Sequence, residues 1–168
     1  MKKDLAVIFG LFLLIAFILI FGKGYSSGSF FTASQSTQSA SVKKGYTVVK
    51  IRDLVVNAKL ASNPNDRKKG LSKMDSLPID SGMLFVFETS GDYAFWMKDM
   101  KFPIDIIWID ENKRIVSIVQ YATPEPGRKD AELTQYKSNL NSKYVLEVNA
   151  GLTQRSNIQV GDTADFQL

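Results

Sequence analysis

Apolar and polar positions follow three regimes along the chain. Leu5 to Phe21 is an unbroken apolar run rich in Leu, Ile and Phe, and Gly22 to Ser41 is dominated by Ser, Thr, Gln and Gly. From Tyr46 onward, short β-branched and aromatic runs alternate with turn residues. The first run, about 17 residues, would reach roughly 26 Å as a helix, just enough to cross a hydrocarbon core. The second cannot bury enough surface to offset its chain entropy and reads as a flexible tether with a spacing role. The third predicts a single folded domain with room for one core. The expected organisation is therefore 1–22, an N-terminal membrane anchor; 23–41, a flexible Ser/Thr/Gln linker; and 42–168, a β domain.

Within the domain, Thr47–Ile51 and Leu54–Leu60 read as strands joined at Arg52-Asp53. A short helix follows, with Asn63 as N-cap, Pro64 at its first position, Asp66 in its first turn and Gly70 as its stop. Met83–Phe87, Tyr93–Lys98 and Ile104–Asp110 read as three further strands. The turn Asp110-Glu111-Asn112-Lys113 leads into a partner strand, Arg114–Tyr121. Thr123–Asn139, with Pro124, Pro126 and Gly127, is irregular, Tyr144–Asn149 is a strand, Leu152–Asn157 forms one or two helical turns, and Thr163–Gln167 closes the domain. Seven or eight short strands predict a mainly β fold, a sandwich or small barrel with one or two short helices, preceded by the transmembrane helix.

Charge sharpens the membrane reading and narrows the partners. Lys2 and Lys3 precede the apolar run and only Lys23 follows nearby, so the positive-inside rule places the N-terminus in the cytoplasm and the domain outside, single-pass in the cell membrane. Signal cleavage and secretion is the alternative, against which stand the length of the run and the lack of an A-x-A site. Of 21 basic and 17 acidic residues, three and one respectively precede Val42, which leaves 18 and 16 in the domain. That near balance lacks the clustered positive footprint of a nucleic-acid binder. Cysteine and histidine are both absent, which excludes disulfides, Cys nucleophiles, Ser-His-Asp triads, a lipidated cysteine, and thiolate or imidazole metal ligands. No acidic spacing resembles a dedicated calcium loop, so neither metal nor cofactor is expected.

The candidate chemistry lies in carboxylates set among apolar residues. In Ile104–Ile109, alternation puts Asp105 on the face of Ile107 and Ile109, and in Tyr144–Val148 it puts Glu147 on the face of Val145 and Asn149. Both acids should be at least partly buried and in need of partners. Arg67, in the helix, and Lys98 could supply them. Either these charges form structural ion pairs tying helix to sheet, or the four line a cleft in which Trp96 and Tyr93 offer a stacking surface. A hydrolase using the Asp105–Glu147 pair is the enzymatic alternative. Met83, Met97 and Met100 read as core filler, and Arg67-Lys68-Lys69 as a solvated helix face.

Four ordered motifs resemble the DUF192 (UPF0127) family. They are Arg67-Lys68-Lys69-Gly70-Leu71; Gly82-Met83-Leu84-Phe85-Val86-Phe87; Phe95-Trp96-Met97-Lys98 with Pro103-Ile104-Asp105-Ile106-Ile107; and Tyr144-Val145-Leu146-Glu147-Val148 with Gly151 and Gly161-Asp162. The chain departs from the family pattern at Ser72, where Met is usual, and at Asp99-Met100, where Asn-Thr is usual. The resemblance implies a jelly-roll-type β domain, often exported or membrane-anchored, with a site around Arg67, Trp96, Lys98, Asp105 and Glu147 and no assigned reaction. The combined expectation is a membrane-anchored extracytoplasmic module that binds a small polar, carbohydrate or peptide ligand. A purely structural or interaction domain is the remaining alternative.

Overall fold

The computed structural model of the chain describes residues 43–168, so the expected anchor and linker lie outside the described residues. Among those residues, no helix is long and apolar enough to cross a membrane. Six strands form one mixed sheet: β1 (Tyr46–Ile51), β2 (Leu54–Ala61), β3 (Ser81–Gly91), β4 (Ile104–Ile109), β5 (Ile115–Ala122) and β6 (Ser142–Asn149), in the order β1-β2-β3-β6-β4-β5. Two short helices complete it, α1 (Pro64–Lys69) and α2 (Leu152–Arg155), with a 3₁₀ turn at Asp130–Glu132.

All pairings are antiparallel except β2 with β3, which runs parallel. A parallel pair needs a crossover, and residues 62–80, which contain α1, supply it. The helix starts as its sequence dictates: the Asn63 side chain accepts from the Asp66 N–H at 2.9 Å, and Gly70 ends it at φ 51.

Alternation along the central strands sorts side chains into two cores. Leu84, Ile107, Ile109, Leu146 and Val148 pack with β1 and β2 on one face. Met83, Phe85, Ile106, Trp108 and Val145 occupy the other, covered by Leu71, Leu77, Met97 and Tyr136 from the connecting segments. With a core on each side, β4 is buried at every position.

The mainly β fold with two short helices is as expected, and of the sandwich or small barrel expected for it, a single six-stranded sheet is observed rather than two stacked ones. Residues after α2 bridge its outer strands. Lys50 of β1 exchanges two 2.8 Å backbone bonds with Asp165, while Ala164 N–H donates to the Lys113 carbonyl and Ile115 N–H to that of Asp162. One segment can reach both edges only if the sheet curls. A bidentate Arg52–Asp162 pair, at 2.6 and 2.8 Å, fastens the same corner.

Tyr93–Lys98 is not a strand; only an isolated bridge joins Phe95 to Tyr136. The alternation expected there survives, since Met97 is buried and Trp96 exposed. Thr163–Gln167 likewise makes bridges only.

At Gly82, β3 packs closely against β6. A β-carbon there would sit 2.8 Å from the Glu147 carbonyl oxygen and 3.3 Å from Val148 Cγ1. Gly82→Ala should therefore force the two central strands apart and lower stability by about 1–3 kcal/mol, measurable by urea unfolding.

Candidate functional site

On the covered face of β3 and β6 a cleft of about 620 Å³ opens between α1, the segment 92–100 and the sheet. Its wall is aromatic. Phe87 and Tyr93 stack at 3.5 Å and 9°, Phe95 meets Phe85 edge-on at 4.9 Å, and Trp96 stands at the mouth, 50% exposed. These rings are positioned by the sheet: Trp108 Nε1 donates to the Tyr93 carbonyl at 3.0 Å, and the Phe95–Tyr136 backbone bridge holds the segment down.

Glu147 lies among the groups that line this cleft. Met83 and Ile106 flank it on β3 and β4, so both strand neighbours are apolar. Only 5% of the residue is exposed, and among the described residues its carboxyl makes no hydrogen bond or ion pair; since no fully buried side-chain polar atom lacks a partner, what stays accessible of the carboxyl opens into the cleft. Burial pushes its pKa up from 4.5 to about 8. The shift favours the protonated form at neutral pH, and a protonated carboxyl both donates and accepts through its oxygens.

Arg67 and Lys98 share the cleft with Glu147 and Trp96 but do not pair with either acid. Arg67 Nη1 donates to the carbonyls of Ser62 (2.7 Å) and Val86 (3.0 Å), and its guanidinium covers the Phe87 ring at 5.2 Å. It braces α1 against β3 and keeps the aromatic wall in place. Lys98 pairs with Asp130 across the rim, a hydrogen bond that raises its pKa. A second hollow of about 360 Å³ shares Lys73, Lys98, Asp99 and Met100 with the first.

Asp105 is separated from this group by the sheet itself. Ile106 is the partner of Glu147, whereas Asp105 is opposite Val148, so the two carboxyl groups project from opposite faces of adjacent strands. A hydrolytic carboxylate pair has no geometry here. Nor does the expected ion pair form, because Asp105, fully buried, already accepts four hydrogen bonds. Tyr121 N–H and Gly151 N–H bind Oδ1 at 3.0 Å each, and Thr153 N–H and Oγ1 bind Oδ2 at 3.0 and 2.6 Å. A bulge in β5 between the partners of Ile104 and Ile106 turns the Tyr121 N–H inward, with Tyr121 at φ 55. Asp105 thereby caps α2 from a distant strand.

Lys68 and Lys69 are exposed, as a solvated helix face requires, and together with Lys73, which no sequence motif singled out, they line the cleft. Their recurrence through the last turn of α1 and just past Gly70 was the available signal. Asp99, at the position where the resemblance expects Asn, has φ 56, a left-handed conformation that Asn and Asp enter most readily, so the backbone role is kept.

Two solved structures share this architecture. A candidate transcription regulator from Sinorhizobium meliloti 1021 superposes with a TM-score of 0.65 at 28% identity, covering 72% of this chain and 92% of that one. A protein of unknown function from Novosphingobium aromaticivorans gives 0.63 at 27%, covering 71% and 83%. No curated protein matches the chain. A family profile described as "Uncharacterized ACR" matches residues 47–166, from the first strand to the segment that bridges the sheet edges. With that match spanning the whole described domain and all four motifs, the chain belongs to the DUF192 family.

Proposed function

We propose that the domain is a ligand-binding module, tethered outside the cell membrane by the apolar N-terminal run, whose cleft holds a small polar, carbohydrate-like ligand against Glu147. The observation that carries this is a largely buried carboxyl group that makes no hydrogen bond or ion pair within the fold and opens into an aromatic-walled cleft. A carboxyl that is largely desolvated and has no partner in the fold costs stability when charged, and such groups persist where a ligand completes them. The cleft volume falls in the range of small-molecule sites, ~300–1,000 Å³. A ring with hydroxyls on its edge and C–H groups on its face suits both the acid and the aromatic plates. An extended peptide is less well served, since β3, β4 and β6 are paired on both sides and offer no free strand edge. The tether rests on Lys2, Lys3 and the apolar run.

Tryptophan emission tests the site directly, because Trp108 is fully buried and Trp96 half exposed. In the full-length chain in detergent, titration with maltotetraose, chitotetraose, tetragalacturonate or tetraalanine should give a saturable blue shift with at least one saccharide. Trp96→Ala should abolish it and change stability by no more than about 0.5 kcal/mol, as for other exposed substitutions. If none of these probes shifts either the emission or the melting temperature, the cleft is not a binding site of this kind.

A further inference from the structure

The cleft lining carries an excess of positive charge that the fold itself leaves unpaired. Lys68, Lys69 and Lys73 line it, and among the described residues none of the three pairs with a carboxylate within 4 Å. Apart from Glu147 at its apolar base, Asp99 is the single acid among the lining groups. The other lining cations are committed: Arg67 to two backbone carbonyls and Lys98 to Asp130. Three lysines without a carboxylate partner among the described residues thus line a cleft that also holds an aromatic wall and the largely buried Glu147.

We infer that the cleft selects an anionic saccharide, a sugar ring bearing a carboxylate or phosphate, with Lys68, Lys69 and Lys73 meeting the charge, the aromatic wall meeting the ring face, and Glu147 meeting a ring hydroxyl. This rests on the ligand-binding reading above and adds the sign of the ligand's charge. Each part of the ligand has a separate counterpart. Ammonium groups on flexible stems accept carboxylate or phosphate without demanding a fixed geometry. The Phe87–Tyr93 plate and Trp96 supply flat apolar surface. A hydroxyl both donates and accepts, as does a protonated Glu147 carboxyl. Charge alone would not select a sugar, and aromatics alone would not select an anion.

Tetragalacturonate and its full methyl ester separate these elements, since they share ring and length and differ in charge. Calorimetry on the full-length chain at low salt should show the acid binding about tenfold more tightly than the ester, the combined effect of three modest exposed ion pairs. The difference should vanish at about 0.5 M salt and in the triple variant Lys68→Ala/Lys69→Ala/Lys73→Ala. Galactose 6-phosphate binding above galactose would identify the phosphate form of the same chemistry. Equal binding of acid and ester would overturn the charge inference while upholding a saccharide site. Equal binding of tetraglutamate would overturn the saccharide part, showing a mouth that collects any anion. If no saccharide binds at all, the ligand-binding reading falls with it.

Discussion

Glu147→Gln is expected to stabilise the protein, by about 3 kcal/mol at pH 7, and to remove most of the fall in its stability as the solution is made alkaline. In the folded chain the acid is held near 8, against 4.5 for the free group. Below pH 4.5 both folded and unfolded states carry the proton and no penalty exists. Between 4.5 and 8 the unfolded chain releases a proton that the folded chain keeps, so stability drops by about 1.4 kcal/mol per pH unit. Above about 8 the loss levels off. A buried glutamine is neutral throughout and matches the protonated acid in shape, so the two proteins should be nearly equal at pH 4 and diverge steadily above it. Urea unfolding at pH 4, 7 and 8.5 measures the divergence. Parallel curves for the two proteins would mean that Glu147 is compensated in the fold, and the site argument would lose its basis. Residues that a fold would be more stable without are characteristic of binding and catalytic sites.

Asp105→Asn should act in the opposite direction. Its four donors, from Tyr121, Gly151 and Thr153, all point at carboxylate oxygens. An amide places an N–H₂ against N–H or O–H groups on one side, leaving buried donors unmatched. Hydrogen bonds to a charged acceptor contribute more than neutral ones, and unsatisfied buried groups add their desolvation, so a loss on the order of 3–5 kcal/mol is expected. Thermal unfolding reports the total. Hydrogen exchange localises it, with the Gly151 and Thr153 amides losing protection first. A loss below about 1 kcal/mol would show that α2 is held by packing of Leu152 alone. The opposed signs of these two substitutions distinguish a carboxylate the fold uses from one it tolerates.

How much of this was legible in sequence depended on whether the relevant partner was local. The cap of α1 was readable because Asn63, Pro64, Asp66 and Gly70 lie within one segment. The faces of Asp105 and Glu147 were readable because alternation is a property of a single strand: Asp105 does lie with Ile107 and Ile109, and Glu147 with Val145. That the two faces oppose each other depends on register between β4 and β6, which no single strand encodes. The same limit hid the partners of Asp105, 46 and 48 residues away at Gly151 and Thr153. It also hid Asp130, which takes up Lys98 from 32 positions on. Tyr93–Lys98 has the alternation of a strand without the pairing, because both its ladder positions are spent on one bridge to Tyr136. The parallel β2–β3 pair was invisible for a related reason: adjacent runs suggest hairpins, whereas here the α1 crossover reverses the expected direction.

The segment that joins the outer strands also governs when the domain can fold. Thr47 donates to the Gln167 carbonyl across 120 residues, and Lys50 pairs with Asp165 nearly as far along the chain. Contacts so distant in sequence are entropically slow to form and are made late. During synthesis β1 and β2 must wait for Gln167 before their corner can be fastened. Until then the edge of β1 exposes unpaired backbone groups, the surface on which chains associate with one another. The nascent domain is therefore expected to keep the Lys50 corner of β1 unpaired until Asp165 has been made.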